Sequence, residues 1–203
     1  MEKTFRKIIN EIIAPVFISN GFKKKGDTFA KENADLAFVV KIYDHWLNAD
    51  EVSFTLRTGI FTKELFGTYF MKRVPKFPVL NDSIYQLNIS KLAKRSHEWY
   101  KLNTSTDLFE LTKLIIEDIN SYILPHFESI STINKLIDNL EQEEGFLWKE
   151  SPHFLTILYQ QNGYIKCAQE RMNKVYEKCE FAAQREFTKV IADRLGIVIE
   201  DQP

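Results

Sequence analysis

The sequence has few cysteines, glycines and prolines, and it has no long hydrophobic run. Its two cysteines, Cys167 and Cys179, are compatible with a reducing compartment, and seven glycines and six prolines argue against low-complexity linkers. The longest apolar run, Ile12 to Ile18, is interrupted by Pro15, whereas a helix needs about 20 apolar residues to cross a bilayer. The N-terminal residues also lack the apolar core of a signal peptide. We therefore expect a cytoplasmic protein that does not contact a membrane.

The net charge is also close to zero, at −1 for 203 residues. The two halves nevertheless differ, because residues 1–101 carry 17 basic and 11 acidic side chains and residues 102–203 carry 10 and 17. Such an asymmetry is explained by an anionic partner for the first half, or by complementary surfaces that pack within one chain or between two copies. We favour packing within the protein.

Apolar residues are abundant, at 44% of the chain with 16 Phe, and part of them alternates with polar residues. Period-two alternation predicts strands at Thr28 to Lys31, Leu36 to Tyr43 and Val52 to Arg57, because every second side chain then lies on one face of a sheet. Weaker alternation predicts further strands at Ile84 to Ser90 and His97 to Leu102. These segments are typical of an antiparallel meander.

Two long amphipathic helices are predicted, one before and one after these strands in the sequence. Apolar residues from Phe5 to Val16 recur every three or four positions, and a similar stripe follows Asp107, which has the spacing of a helix N-cap. Pro15 is expected to kink the first helix or limit its last turn, and Gly21 suits the residue that ends it. Laying both apolar stripes on one face of the meander gives an α+β domain.

The rest of the chain predicts helices only. We therefore expect an α+β domain at residues 1–128 and an all-helical extension at residues 129–203. Within that extension, the stretch from Leu155 to Gln169 weakly resembles one helical hairpin of the tetratricopeptide kind. One hairpin is too short for a repeat array, which needs about three units.

Six short motifs in the first 130 residues occur together. They are GFKKKG at 21–26, T-F at 28–29, F-T-x-x-x-G-I at 54–60, K-F-P at 76–78, W-x-x-L at 99–102 and I-L-P-x-F at 123–127. In this combination the chain resembles an uncharacterised, mainly bacterial family known only as a domain of unknown function. That resemblance supports the domain, but it implies neither an activity nor a catalytic residue.

No catalytic, cofactor or metal site is predicted from motifs. The sequence has no Gly-rich phosphate loop, no G-x-S-x-G and no H-E-x-x-H, and its four histidines lie far apart. An acidic run at Glu141, Glu143, Glu144 and Glu150 could attract a divalent cation, but such a run is more often a solvated helix end. These observations favour a protein that is not an enzyme, although an enzyme with an unrecognised site is left open.

The candidate interface consists of Lys41, Tyr43, Trp46 and Arg57. The first three are predicted on or near the polar face of the sheet, and Arg57 is expected to share it. Tyr, Trp and Arg are the residues that most often anchor protein interfaces. The alternative is that the C-terminal helices cover this face. Our preferred hypothesis is a non-catalytic module that binds another protein.

The basic residues offer a second hypothesis, which is nucleic-acid binding. Candidate anion-binding residues are Lys23, Lys24 and Lys25, predicted in a loop, with Lys91, Lys94 and Arg95 in a basic turn. Lysines that follow a helix also complement its dipole, and a solvated loop is the commoner outcome for such a cluster. We therefore do not favour nucleic acid as the partner.

Overall fold

The chain folds into two compact units in a computed structural model, which describes residues 1–142 and 151–199. Unit 1 consists of Met1–Phe61 and Pro75–Ser131, and unit 2 of Thr62–Val74 and Thr132–Pro203. The predicted α+β class is confirmed, with an antiparallel sheet in unit 1 and helices in unit 2. The domain boundary predicted at residue 128 falls inside unit 1 and stays a prediction.

The sheet of unit 1 is an antiparallel meander, as predicted. Its strands are β1 Lys23–Lys25, β2 Thr28–Asn33, β3 Leu36–Asn48, β4 Glu51–Thr62, β5 Tyr85–Asn88 and β6 Tyr100–Leu102. The spatial order is β1-β2-β3-β4-β5, and β6 pairs with β4 as well. The long strand β4 pairs with both short strands: Arg57 to Ile60 pair with β5, and Val52 to Phe54 pair with β6.

Helices account for most of the remaining described residues. In unit 1, α1 comprises Glu2–Lys7, the π-helical segment Ile8–Ile13 and Ala14–Ser19. In chain order, the next helices are α2 Lys63–Phe70, which belongs to unit 2, and α3 Ile89–Leu92 of unit 1. Unit 1 also contains α4, which comprises Leu108–Asp118, the π-helical segment Ile119–Ile123 and Leu124–Ser129. Unit 2 adds α5 Ile133–Gln142, α6 His153–Gln161, α7 Ile165–Glu177 and α8 Ala182–Leu195.

The two long helices α1 and α4 cover one face of the sheet, which we call the helix face. Aromatic rings join the layers: Phe5 of α1 lies 5.1 Å from Phe54 of β4, and Phe127 of α4 stacks on Phe38 of β3 at 4.7 Å. All four side chains are at least 95% buried. Burial of each such ring stabilises the fold by roughly 1.5–3 kcal/mol, so this aromatic layer is a substantial part of the core of unit 1.

Both long helices continue through a proline. Pro15 and Pro125 each follow a π-helical segment by two residues, and each helix runs on for another turn, to Ser19 and Ser129. At the end of the π segments, the N–H of Ala14 donates to Ile9 and that of Leu124 to Ile119, five residues back. A π turn shifts the hydrogen-bond pattern just where proline lacks a donor, so the helix is maintained instead of ending.

The opposite side of the sheet, which we call the second face, is partly covered by the chain between β4 and β5. A 3₁₀ turn at Leu80–Asp82 places Leu80 against Ala30 and Val39, and Phe77 and Tyr43 border this small cluster. Gln86 fixes the turn, because its Nε2 donates to the carbonyl oxygens of Leu80 and Ser83. This local segment therefore covers part of the second face.

Unit 2 is a bundle built around α6. This helix contacts α2, α5, α7 and α8, and six consecutive residues from His153 to Leu158 are buried. A helix that is buried on every side belongs in the centre of a bundle. Helices α6 and α7 form a hairpin that turns at Gly163, which adopts a φ of 82°. Among the described residues, no helix combines the length and the apolar character needed to cross a bilayer.

Candidate functional site

Three of the four predicted interface residues lie together on the second face. Alternation along β3 and β4 places Lys41, Tyr43 and Arg57 there, opposite the positions that contact α1 and α4. All three side chains are half-buried. Tyr43 borders the cluster that contains Leu80, so these three residues lie on the part of the second face next to the 3₁₀ turn.

The centre of this region is the pair formed by Arg57 and Tyr43. The guanidinium carbon Cζ lies 5.1 Å from the centroid of the Tyr43 ring, which is within the range of a cation–π contact. The contact holds the long side chain of Arg57 over the ring. A cation held in this way has lost conformational freedom before any partner arrives, and less is then lost on binding.

Asn88 of β5 lies next to Arg57, with which it is paired in the sheet. Its Oδ1 accepts hydrogen bonds from the Thr55 hydroxyl at 3.1 Å and from the backbone N–H of Ser90 at 3.0 Å. These two donors fix the orientation of the amide. Asn88 Nδ2 and Arg57 Nε are consequently buried donors without an acceptor among the described residues.

The charge of this region is positive and not neutralised by the described part of the chain. Neither Lys41 nor Arg57 forms an ion pair within residues 1–142 and 151–199. A half-buried guanidinium without a carboxylate differs from a solvated surface lysine, because burial removes water that would otherwise stabilise the charge. Chemically, the arrangement is suited to a carboxylate supplied from outside.

The prediction that Trp46 shares this face is wrong. Its ring packs edge-on against Phe5 of α1 at 5.9 Å, and therefore lies on the helix face. Its Nε1–H donates to the Asp44 carboxylate at 2.8 Å. The reason is the period of the strand, since Trp46 stands three residues after Tyr43 and an odd separation places two side chains on opposite faces.

The lysines at 23–25 form edge strand β1 and are not part of a loop. Lys23, Lys24 and Lys25 are all exposed, and β1 pairs only with β2 among the described strands. Lys25 extends over the Phe77 ring at 6.0 Å, on the second face, whereas the alternation of the strand directs Lys24 to the other side. The three charges therefore do not form one patch.

Arg95 differs from the other predicted anion-binding residues because it forms an ion pair with a buried carboxylate. Its Nη1 donates to Asp118 Oδ2 at 2.7 Å, its Nη2 donates to the other carboxylate oxygen, and the Tyr100 hydroxyl donates to Oδ2 as well. Asp118 is completely buried in α4. The charge of Arg95 is thus used within unit 1, while Lys91 and Lys94 remain exposed near it.

The pKa directions in this cluster agree with its geometry. Burial, followed by the hydrogen bond to Asp118, raises the pKa of Tyr100 far above its ordinary value. Burial alone would lower the pKa of Arg95, but the hydrogen bond and the attraction to Asp118 outweigh it and raise that pKa. Tyr100 therefore stays a neutral donor, and the cluster joins the turn that follows α3 to β6 and α4.

The histidines and acidic residues remain dispersed. His45 and His97 are exposed, whereas burial lowers the pKa of both His126 and His153 to about 4. Among the described residues, no three His, Cys, Asp or Glu side chains are close enough to hold a metal ion. Of the acidic run, Glu141 accepts a hydrogen bond from the Tyr159 hydroxyl, and Glu143, Glu144 and Glu150 lie outside the described residues.

Two residues of these sites were missed by reasoning from the sequence. Asn88 stands at the end of a predicted strand, and the signal available was its position before Ile89 and Ser90, since asparagine is a frequent helix N-cap. Asp118 lies on the apolar stripe of α4, between Ile115 and Ile119. A carboxylate on such a stripe indicates a buried cationic partner.

Comparison with known proteins gives one match. Residues 13–129 match the model of a family described as a domain of unknown function, DUF4304. No curated protein and no solved structure matches the chain. The matched residues include both halves of the Arg57–Tyr43 pair and the Arg95–Asp118 pair.

Proposed function

The chain belongs to the DUF4304 family of domains of unknown function, and from this premise we propose that unit 1 is a non-catalytic module that binds another protein. The binding surface is the part of the second face that contains Arg57, Tyr43 and Lys41. The proposal is carried by one observation, which is the half-buried Arg57 held over Tyr43 without a carboxylate partner among the described residues.

The chemistry of this surface defines the partner. An arginine that is already positioned over an aromatic ring is a common anchor of protein interfaces, and its planar guanidinium binds a carboxylate through two parallel hydrogen bonds. Lys41 adds a second positive charge on the same face. The expected partner therefore presents an Asp or Glu side chain within an acidic segment, and the charge complementarity sets its orientation.

A protein is favoured over a nucleic acid by the distribution of the basic residues. Binding to a phosphate backbone needs several cations along one surface. Here Lys24 projects from the opposite side of the sheet to Lys25, and Arg95 is paired with Asp118. Lys24 and Arg95 are therefore not available to a single cationic track.

The test is site-specific photocrosslinking in cells that naturally express the protein. A photoreactive phenylalanine analogue replaces His45, which is exposed on the same face of β3 two residues after Tyr43, or Lys3, which is exposed on α1. We expect the analogue at position 45 to crosslink one protein, through a peptide rich in Asp and Glu, and the analogue at position 3 not to crosslink it.

A second substitution in the His45 reporter shows whether Arg57 carries the contact. Arg57→Ala should weaken the crosslink at least about tenfold, since a central interface arginine contributes roughly 2 kcal/mol. Arg57→Lys should also weaken it, because lysine keeps the charge but not the planar, stacked geometry. Equal crosslinking in Arg57→Ala, with an unchanged circular dichroism spectrum, would contradict the proposal, and crosslinks to nucleic acid would replace it with the second hypothesis.

We also propose that the protein is cytoplasmic and bacterial. Both of its cysteines are free thiols, and Cys167 is exposed, which suits a reducing compartment. The bacterial source follows only from the resemblance of its motifs to a mainly bacterial family. Fractionation of the source cells, with the protein detected by antibody, tests the location.

A further inference from the structure

Strand β3 extends well beyond the strand that pairs with it on one side. Among the described strands its neighbours are β2 and β4, and β2 pairs only with Leu36 to Lys41. The last hydrogen bond on the β2 side runs from the Ile42 N–H to the carbonyl oxygen of Asp27, in the turn before β2, at 2.9 Å. Strand β3 continues to Asn48. Residues 43–48 therefore form an open sheet edge roughly 20 Å long.

The hydrogen-bond pattern of β3 directs backbone groups of Asp44 and Trp46 to this open edge. In an antiparallel sheet the N–H and C=O of one residue point to the same neighbouring strand, and successive residues alternate between the two neighbours. Ile42 points to the β2 side, so Asp44 and Trp46 point there as well. Phe38 and Trp46 both lie on the helix face, as their even spacing requires, so the alternation is maintained. In the described part of the chain, no other segment forms a hydrogen bond with these two backbone positions on that side.

The open edge lacks the features that usually protect a sheet edge. Asp44, His45, Leu47 and Asn48 are all exposed, and residues 43–48 include neither proline nor lysine. The other edge strand, β1, is only three residues long and consists of lysines. Short strands, prolines and lysines are the means by which natural sheets prevent a strand of another molecule from pairing. The edge of β3 is thus the one at which a further strand can be added.

A strand added at this edge would lie next to the proposed binding surface. Tyr43 and His45 project from β3 on the second face, and the Arg57 guanidinium lies over the Tyr43 ring. Side chains directly opposite each other on paired strands have their Cβ atoms about 4.5–5.5 Å apart, so a glutamate opposite Tyr43 is within reach of Arg57. On the helix face the added strand would lie beside the half-buried Trp46 ring, which favours an apolar side chain there.

We propose that the partner of unit 1 binds as an extended segment that adds a strand to the open edge of β3, with acidic side chains on the second face and apolar side chains on the helix face. This inference rests on the proposed function, because it states how the acidic segment is held. Main-chain hydrogen bonds to Asp44 and Trp46 supply affinity, and the alternate side chains supply specificity.

A different protein suits this edge better than a second copy of the chain. Antiparallel pairing of two copies would place Tyr43, His45 and Leu47 of the second copy on the second face. None of these side chains is a carboxylate, so a second copy paired in this way leaves Arg57 without an acidic partner. The charge of the second face therefore selects an acidic segment of another protein.

The experiment uses a synthetic peptide of alternating valine and glutamate, titrated into isotope-labelled full-length protein and followed by NMR. We expect saturable binding with a Kd of about 1 mM or tighter. Solvent exchange of the Asp44 and Trp46 amide protons should slow on binding, because both become hydrogen-bonded. The same peptide N-methylated at two adjacent central residues has both backbone edges blocked and should not bind. A peptide of alternating valine and lysine should not bind either, because its charges repel Lys41 and Arg57.

Two substitutions at one position test the contribution of the backbone. Asp44→Pro removes the N–H that points to the open edge, and proline is tolerated on an edge strand where its position faces solvent. Asp44→Ala keeps this N–H, and both variants lose the hydrogen bond from Trp46 Nε1 to the Asp44 carboxylate. We expect Asp44→Pro to weaken binding of the valine–glutamate peptide about tenfold. Asp44→Ala should bind it at least as tightly as the wild type.

Several results would overturn the inference while leaving the proposed function in place. These are the absence of binding at millimolar peptide, equal binding of the N-methylated peptide, or equal binding by the two Asp44 variants, in a protein whose crosslink from position 45 still depends on Arg57. Dimerisation in sedimentation experiments that Asp44→Pro abolishes would replace the acidic segment by a second copy. Peptide pairing without any crosslink in cells would instead contradict the proposed function. Thermal unfolding of each variant is measured first, and the N-methylated peptide decides the question if Asp44→Pro does not fold.

Discussion

Gly59 of β4 lies directly against Ser83 on the second face of the sheet. A Cβ atom at position 59 would stand 2.5 Å from Ser83 Oγ and 2.8 Å from Leu80 Cδ1. Position 59 therefore requires glycine because there is no room for a side chain, and not because the backbone adopts an unusual angle. It explains physically why a glycine occupies this place in the F-T-x-x-x-G-I motif.

We expect Gly59→Ala to destabilise unit 1 by roughly 1–3 kcal/mol, because the added methyl group overpacks a filled contact and must displace the 3₁₀ turn. Urea unfolding of the full-length protein, followed by tryptophan fluorescence, measures the change. Gly67→Ala is the matched control, since a Cβ on this helical glycine meets nothing within 4 Å and should be neutral or stabilising. Equal midpoints for Gly59→Ala and the wild type would refute the steric explanation.

Asp118→Asn should destabilise the protein strongly, because it leaves the guanidinium of Arg95 without its carboxylate. Loss of one member of a buried ion pair costs about 3–5 kcal/mol, and the 21% exposure of the Arg95 side chain places the effect near the lower end. The comparison is Asp27→Asn, which breaks the more exposed Arg6–Asp27 pair and should cost about 1 kcal/mol or less. Similar losses in the two variants, measured by urea unfolding, would contradict this ranking.

Stability should fall as the pH is lowered from about 6.5 to about 4. The pKa of His153 is about 4 in the folded protein and near its ordinary value of 6.5 when unfolded, so the unfolded chain binds the proton first. Above pH 6.5 the proton equilibrium of His153 does not lower the free energy of unfolding. At pH 4 it lowers the free energy of unfolding by roughly 3 kcal/mol.

The contribution of His153 is isolated by comparing pH profiles of unfolding for the wild type and His153→Phe. The variant should lose less stability between pH 6.5 and pH 4, while His126, whose pKa burial also lowers to about 4, is present in both proteins. His97→Gln, at an exposed position, should follow the wild type. Parallel profiles for wild type and His153→Phe would show that His153 titrates normally.

The two cysteines should differ sharply in their reaction with a thiol reagent. Cys167 is exposed on α7, whereas Cys179 is 92% buried and its thiol donates to the Val175 carbonyl oxygen at 3.2 Å. We expect one thiol to react quickly in the native protein and the second only in denaturant. In Cys167→Ser the fast reaction should disappear, and fast labelling of that variant would contradict the burial of Cys179.

Most of the fold of unit 1 could be predicted from local patterns. The alternation at Leu36 to Tyr43 and the helical stripe that begins at Phe5 are strong signals, and Asp107 was recognised as an N-cap, where its carboxylate accepts two backbone N–H groups. The lysines of β1 were missed, because charged residues do not resemble a strand. Only their pairing with β2 makes them one.

The candidate site was harder to predict for a related reason. The alternation of the strands correctly predicted that Tyr43 and Arg57 share a face. Trp46 was assigned to that face because tryptophan is common in interfaces, although its odd spacing from Tyr43 places it on the other face. The unmatched donor of Asn88 depends on Thr55, which is 33 residues away. In unit 2 the ring of Tyr69 packs edge-on against Phe187, and no spacing in the sequence indicates that contact.

The edge strand β1 also bears on the behaviour of the protein in a crowded cell. An open sheet edge exposes backbone groups to which a strand of another molecule can pair, which is a route to aggregation. This edge is three residues long, and each of them is an exposed lysine. A second copy adding there in the antiparallel sense would bring lysine opposite lysine, and the repulsion disfavours the sheet-to-sheet joining from which fibres grow.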